Sequence, residues 1–429
     1  VNLPAASEGA AHHRDRADPL SRWREQFVLP RDGHGGELIY LCGHSLGLAP
    51  RTARARVLEE LEDWERHGVH GHERGQRAWI DYAERLAPLL APLAGAAPEE
   101  VVAMNSLSVN LHLLLASFYR PTPARHRILI EAGAFPSDRH VVTSQIRWHG
   151  RDPATSLIEL APRAGEELIR AEDLAQRIAE EGPSLALVLW PGVQYRTGQA
   201  FDPAAITHCA HRAGARIGFD LAHAIGNVPL ALHDSGADFA AWCSYKYLNG
   251  GPGAVGGAFV HERHARDAQL PRLAGWWGSN PATRFRMQGS FDLTPGAAGW
   301  QISNPPILSA APLFASLPMF VQAGIAPLRA RSRELTAFLQ AALAALCGEA
   351  IELITATDPE QRGAQLSIRV RGGGERARRV HAALGLRGVV TDWREPDTIR
   401  LAPVPLYNSY LDAWRAAERL AGCLGDAPA

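Results

Sequence analysis

The chain has 429 residues, 46% of them hydrophobic, which is enough to bury a large core and to build more than one domain. Its formal net charge is -1, with acids and bases interspersed and no charged tail, so neither a nucleic-acid surface nor a membrane surface is expected. The mixed-charge stretch over residues 1–18 lacks the apolar core of a signal peptide, and apolar runs such as Leu185–Trp190 are too short to span a bilayer. The 5 cysteines are scattered and form no C-x-x-C pair, which argues for a reducing, cytoplasmic setting and against a disulfide framework or zinc ribbon.

Residues 1 to about 38 read as an arm, partly helical near Ser21–Phe27. Val57, Leu58, Leu61 and Trp64 recur at helical spacing, so Arg51–His67 is an amphipathic helix, and Tyr82–Leu93 is another. Strands then alternate with helices. The strands are Val101–Met104, Arg127–Glu131, Leu185–Trp190, Arg216–Asp220, Ala237–Cys243 and Val255–His261. The intervening helices are Ser108–Tyr119, Ser137–His149, Ile169–Glu180 and Pro203–Ala213. That alternation predicts an α/β sheet, largely parallel and covered on both faces. After Pro305-Pro306 one long helical stretch, Pro312–Leu346, leads to short strands at Gln365–Val370, Val389–Asp392 and Thr398–Ala402, a second and smaller α/β domain. The expected divisions are an arm and entry segment at 1–50, a large domain at 51–308 and a small domain at 309–429.

Of the 44 lysines and arginines only Lys246 is lysine. A genome that writes arginine for every surface cation explains the other positions but not this one. Guanidinium stays protonated and forms no imine, whereas a buried lysine amine deprotonates and attacks a carbonyl. Lys246 is therefore a candidate for covalent chemistry.

Asp220 closes an apolar strand, and ligands in open α/β sheets gather beyond the carboxyl ends of strands. Alone, it serves equally well as a helix cap. Facing Lys246 across a cofactor, it becomes the carboxylate that keeps a pyridinium nitrogen protonated, the pattern of a pyridoxal-phosphate enzyme. Met104–Asn110 joins a strand to a helix, where the first amides and the Ser108 hydroxyl offer an anion site. Phe135 could stack on a pyridine face and Asp138 polarise its edge. Gly251–Gly256 matches G-x-G-x-x-G but runs into a strand, so it is no dinucleotide fingerprint. His67, His70 and His72 lie close together without Cys or acidic partners at a metal spacing, and no metal is expected. Arg400 interrupts an apolar strand, as a solvated edge residue or as a fork for a carboxylate.

These residues resemble the kynureninase family from about Tyr40 to near the C-terminus. The resemblance is carried by Leu41–Leu48, Met104–His112, Ala134–Asp138, Phe219–Asn227, Trp242–Asn249, Ser303–Pro306 and Arg400–Asn408. It implies a fold-type-I pyridoxal-phosphate enzyme with a mostly parallel seven-stranded sheet and a smaller C-terminal domain. Lys246 would hold the cofactor as a Schiff base and act as the base at Cα. Asp220 would hold the ring nitrogen, with His223 nearby. Leu107, Ser108 and Tyr245 would contact the phosphate, and Phe135, Pro136, Ser137 and Asp138 would line the ring. Trp276 and Asn304 would arrive from the other subunit of a homodimer, and Arg400 would grip the substrate carboxylate. Ser108 stands where threonine is common, and Pro191 where some relatives carry serine, which puts one cofactor hydrogen bond in doubt.

The implied reaction is hydrolysis of the Cβ–Cγ bond of a kynurenine to an anthranilate and L-alanine, with Tyr245 as the candidate for the associated proton transfers. His72, Ser303 and Asn304 would surround the aromatic ring. Polar groups there favour a ring hydroxyl and predict a preference for 3-hydroxykynurenine. A ring-methylated substrate stays open, as does the rival reading of a class V aminotransferase. A cysteine desulfurase finds no support, since Cys347 and Cys423 fall at helix ends.

Overall fold

The computed structural model describes residues 6–426 except 266, 268, 287, 288 and 290; the outermost parts of the expected arm (1–5) and small domain (427–429) lie outside the described residues. Seven strands form the central sheet: β1 (Val101–Ala103), β2 (Arg127–Glu131), β3 (Leu157–Leu160), β4 (Leu185–Pro191), β5 (Arg216–Asp220), β6 (Phe239–Trp242) and β7 (Gly257–Val260). Their order is β1-β7-β6-β5-β4-β2-β3. Every pairing is parallel except those of β7, which runs antiparallel to β6 and β1.

Alternation along each strand splits the apolar residues between two cores. Ile128 and Ile130 of β2, Leu187 and Leu189 of β4, and Phe239 and Ala241 of β6 face one core with helices α4 (Leu107–Phe118) and α5 (Pro136–Trp148). Leu129, Val188, Trp190, Ala240 and Trp242 face the other, which includes residues of α3 (Tyr82–Ala94), α6 (Ala171–Glu181) and α7 (Pro203–Arg212). Coverage on both sides explains the near-continuous apolar runs in the sequence. The helix before α3 is α2 (Ala53–His67), and the arm carries α1 (Glu8–Ala17) and a 3₁₀ turn at Ser21–Gln26.

Four departures from the sequence reading have physical causes. The stretch expected as one helix over Pro312–Leu346 is two, α8 (Leu313–Ala323) and α9 (Ile325–Cys347), bent by 84°. Gly324 sits between them at φ 76°, a left-handed conformation that only glycine adopts cheaply. Strand β3 was not expected, because an edge strand with one buried residue in four gives little apolar signal. The same holds for β8 (Ile351–Leu353), the edge of a four-stranded antiparallel sheet ordered β8, β9 (Leu366–Val370), β11 (Thr398–Leu401), β10 (Asp392–Arg394). Finally, α1 has almost no apolar stripe. It is held instead by Asp15, whose carboxylate accepts from the Tyr410 and Leu411 amides at 2.7 and 3.0 Å and so caps α11 (Tyr410–Asp426).

A third core joins α9, β9, β11, α10 (Gly374–Leu386) and α11, and draws in Ala11, Ile39 and Leu41 from the N-terminal segment. The short strand Ile39–Tyr40 pairs in parallel with Val389–Val390. Among the described residues no single helix is long and apolar enough to cross a membrane.

Asp238 pins the amino ends of β5 and β6, opposite the end where the site lies. Its fully buried carboxylate accepts from His264 (2.7 Å), Arg263 (2.7 Å), the Ile217 amide (2.8 Å), His211 (2.9 Å) and Arg216 (3.2 Å). Burial alone would raise its pKa, but the bonds from His211, His264, Arg263 and Ile217 outweigh it and hold the carboxyl well below its ordinary value. A depressed folded-state value gives stability that is present above the unfolded value and lost as pH falls through the folded one. Asp238→Ala is expected to cost roughly 2–5 kcal/mol in urea unfolding at pH 7, since it leaves the buried His264 ring and Ile217 amide without their acceptor. Between about pH 5 and 2 the wild type should lose stability and the gap to the variant should narrow.

Candidate active site

Five strand exits converge on one cavity of about 210 Å³ at the carboxyl end of the sheet. After β1 the chain turns through Asn105, which adopts φ 47°, a conformation that asparagine tolerates better than other side chains. Asn110, fully buried, fixes this turn by donating to the Met104 carbonyl at 2.8 Å and the Gly257 carbonyl at 3.3 Å. Ser106, Leu107 and Ser108 reach the cavity at the start of α4, a helix whose N-terminus no side chain caps. Its first amides are therefore free for an anion.

The exit of β2 supplies Glu131, Phe135, Ser137 and Asp138 to the lining, with Pro136 as the first residue of α5. Pro191, Val193 and Tyr195 follow β4. Asp220 and His223 follow β5, and Tyr245 and Lys246 follow β6. The Lys246 amine lies 5.8 Å from the centroids of both Phe135 and Tyr245, and the side chain is only 9% exposed. Its turn is gripped from the N-terminal segment: the Gly47 amide donates to the Tyr245 carbonyl at 2.8 Å, and a β-carbon at Gly47 would collide with the Lys246 carbonyl.

The electrostatics are set by three buried carboxyls. Asp220 accepts from the Ala222 amide at 2.7 Å and is hydrogen-bonded to Asp138. Burial, and then the Asp220 charge, push the Asp138 carboxyl well above its ordinary value, as expected where two carboxyls share one dry site. Burial pushes Glu131 up to about 8; its one polar side-chain partner is Gln194, whose amide donates at 3.4 Å. Burial, then Lys246 and Arg400, push the His223 imidazole well down, and its Nδ1 has no partner. Burial likewise raises the Tyr245 phenol.

This donor set fits pyridoxal phosphate. Among the described residues no cation is hydrogen-bonded to the carboxyl pair, which would meet a protonated ring nitrogen. The uncapped helix start would meet a phosphate, and the only lysine in the chain lines the same cavity.

The other expected residues lie outside this cavity. Arg400 is fully buried on β11; its Nη1 donates to the Tyr195 carbonyl at 2.5 Å, and its Nη2 to the Ser45 hydroxyl at 3.1 Å and to Asp392, leaving Nε free. His72 is half-buried, edge-on to Trp79 at 5.5 Å. Ser303 and Asn304 are exposed. Trp276 is 49% exposed and donates to the Arg284 carbonyl at 3.2 Å. The sequence reading gave no role to Glu131, Val193 or Tyr195. Glu131 ends an apolar strand just as Asp220 does, and the same signal could have found it. Among the described residues, two groupings place His, Cys and acid ligands within reach of one ion: Cys42–His44–Asp392 and Glu100–His233–His261. Neither includes His67, His70 or His72.

Glu131 yields a test on the cofactor-free protein. Its folded-state value is raised, so stability is greatest below the unfolded value and is lost as pH rises through about 8. Urea unfolding should show stability falling from pH 5 to 8, and Glu131→Gln should flatten that slope. An unchanged slope would show that the carboxyl is not held protonated.

Residues 328–420 match the family model described as kynureninase C-terminal domain. The chain is 56% identical to a kynureninase of Stenotrophomonas maltophilia (strain K279a) over 411 residues, 96% of this chain and 97% of that one. It is also 56% identical to a kynureninase of Xanthomonas euvesicatoria pv. vesicatoria (strain 85-10), over 95% of this chain and 96% of the relative. Among solved structures, C-DES with glycine covalently linked to its PLP cofactor superposes with a TM-score of 0.76 at 19% identity, covering 93% of this chain and 98% of that one. The cysteine desulfurase CsdA from Escherichia coli superposes with a TM-score of 0.73 at 17% identity, covering 95% and 98%. At those identities the structures share the fold alone.

Proposed function

The chain belongs to the kynureninase family, and on that premise we propose that it hydrolyses 3-hydroxy-L-kynurenine in preference to L-kynurenine, releasing 3-hydroxyanthranilate and L-alanine. It is a pyridoxal-phosphate-dependent hydrolase of carbon–carbon bonds. The observation that carries the site assignment is the burial of the one lysine beside the Asp138–Asp220 pair.

Bound pyridoxal phosphate supplies an electron sink for charge left at the substrate Cα. The chain's own groups do the rest. Asp220 would hold the ring nitrogen beside Asp138, with His223 nearby. Leu107 and Ser108 at the start of α4, with Tyr245, would take the phosphate. Phe135 would stack on the ring, with Pro136 and Ser137 shaping the turn. Lys246 would attach the cofactor through its amine, then take and return the proton at Cα. Water adds at the γ-carbonyl, and Tyr245 handles the proton released as the Cβ–Cγ bond breaks. Burial keeps its phenol protonated until the phosphate and substrate are in place. Arg400 would receive the α-carboxylate only on release from Asp392, since both its Nη groups are engaged away from the cavity.

The substrate end of the site is completed by a second copy of the chain. Trp276, His72, Ser303 and Asn304 all lie outside the cavity of their own chain, three of them exposed, which suits residues that serve a partner's site. Their polar groups would bond a 3-hydroxyl, and a site built for a hydroxyl penalises an analogue without one. Scattered free cysteines suit a cytoplasmic setting.

Product analysis with both substrates tests the reaction, and kcat/KM tests the preference; equal or reversed values would sink the preference while leaving the reaction intact. Lys246→Ala should lose the visible absorption of the bound cofactor together with turnover. Mixing Lys246→Ala with Asn304→Ala, each impaired alone, should restore activity through hybrid dimers, and failure to do so would remove the shared site.

A further inference from the structure

Tyr195 stands in the loop after β4, a place to which no role has been given above. Its ring meets Phe135 edge-on, with centroids 5.2 Å apart and planes at 85°. Its carbonyl accepts two bonds from the small domain, from Arg400 Nη1 at 2.5 Å and Gln365 Nε2 at 3.0 Å. The turn around it is fixed from both sides. The Gln194 side-chain oxygen accepts from the Arg196 and Thr197 amides at 2.6 and 2.7 Å, while its nitrogen donates to Glu131. The Arg196 carbonyl accepts from Ser367 at 2.5 Å and Gln365 at 3.0 Å, and the Thr197 carbonyl accepts from Thr355 at 2.5 Å.

We propose that Tyr195 is a positioning residue that braces the Phe135 ring against the cofactor and ties that ring to the small domain through its own carbonyl. The proposal rests on the reading that Phe135 stacks on the cofactor. Phe135 is 36% exposed, more than an aromatic ring in a packed core, so its orientation depends on few neighbours. Among the described residues Tyr195 is the one aromatic ring that meets it, and Lys246 is the one cation near its face. An aromatic pair is worth enough to shift a binding constant several-fold beyond simple area burial. Bracing needs the ring of Tyr195 and not its hydroxyl. Tethering needs only its backbone oxygen, which any substitution retains.

The test measures pyridoxal-phosphate dissociation constants of the full-length apoprotein, by fluorescence quenching, with the visible circular dichroism of the bound cofactor as a second readout. Tyr195→Ala should raise the Kd by roughly threefold to tenfold and weaken the dichroism band. Tyr195→Phe should match the wild type within about twofold, which separates bracing from a polar role. Phe135→Ala should raise the Kd, and adding Tyr195→Ala to it should change little more. If Phe135→Ala leaves the Kd unchanged, the stacking reading itself fails. If Phe135→Ala weakens binding but Tyr195→Ala does not, or if the two effects simply add, the bracing proposal alone is overturned. A Tyr195→Phe protein as weak as Tyr195→Ala would overturn it as well.

Discussion

Desolvated negative charge governs this molecule's functional end. Asp220 sits where a strand delivers it into a cavity that Asp138 and Lys246 also line, with the Ala222 amide as its hydrogen-bond donor. A carboxylate buried this way is costly without a counter-charge. The strand exits cannot move to relieve it, because the sheet that carries them is packed against helices on both faces. The need for a counter-charge is thus built into the scaffold, and a cationic ring nitrogen would help to meet it. Glu131 adds a third carboxyl at the same place, which burial pushes up to about 8.

The sheet was largely legible in the sequence, since strands covered on both faces are written as uninterrupted apolar runs. β2 and β5 occur with the expected bounds, Arg127–Glu131 and Arg216–Asp220. What escaped was written in single residues or in weak patterns. Gly324 breaks the helical stretch, with Pro327 following in the first turn of the second helix. The edge strands β3 and β8 bury too little to show a period, and α1 is held by the Asp15 cap more than by an apolar face. At the site, Lys246 was legible by rarity and Asp220 by its place at a strand end. Tyr195 was not, because a loop has no periodicity and the residue's value lies in what its carbonyl and ring touch. The burial of Arg400 was equally unreadable: its partners Ser45, Tyr195 and Asp392 are far from one another in sequence and meet only in the fold.

Where the four-stranded sheet meets the large one, an apolar seam in which Phe320, Leu328, Ala364 and Leu406 join the large sheet's core is flanked by polar bonds. Glu167 accepts from Arg196 at 2.8 Å and Arg369 at 2.7 Å, so one carboxylate bridges the loop after β4 and the small sheet. Gln365, Ser367 and Thr355 add bonds to the same loop. The apolar seam supplies buried area, the directional bonds fix the register of the loop after β4, and that loop also lines the cavity.

The chain's single lysine has one more consequence. A protease that cuts only after lysine has a single target bond here, between Lys246 and Tyr247. That bond lies in a buried turn, so folded protein resists cleavage and each unfolding event offers one cut giving two fragments. A cofactor fixed to the amine by borohydride would block even that cut. Digestion thus yields a direct count of molecules that are open and of molecules whose lysine is free.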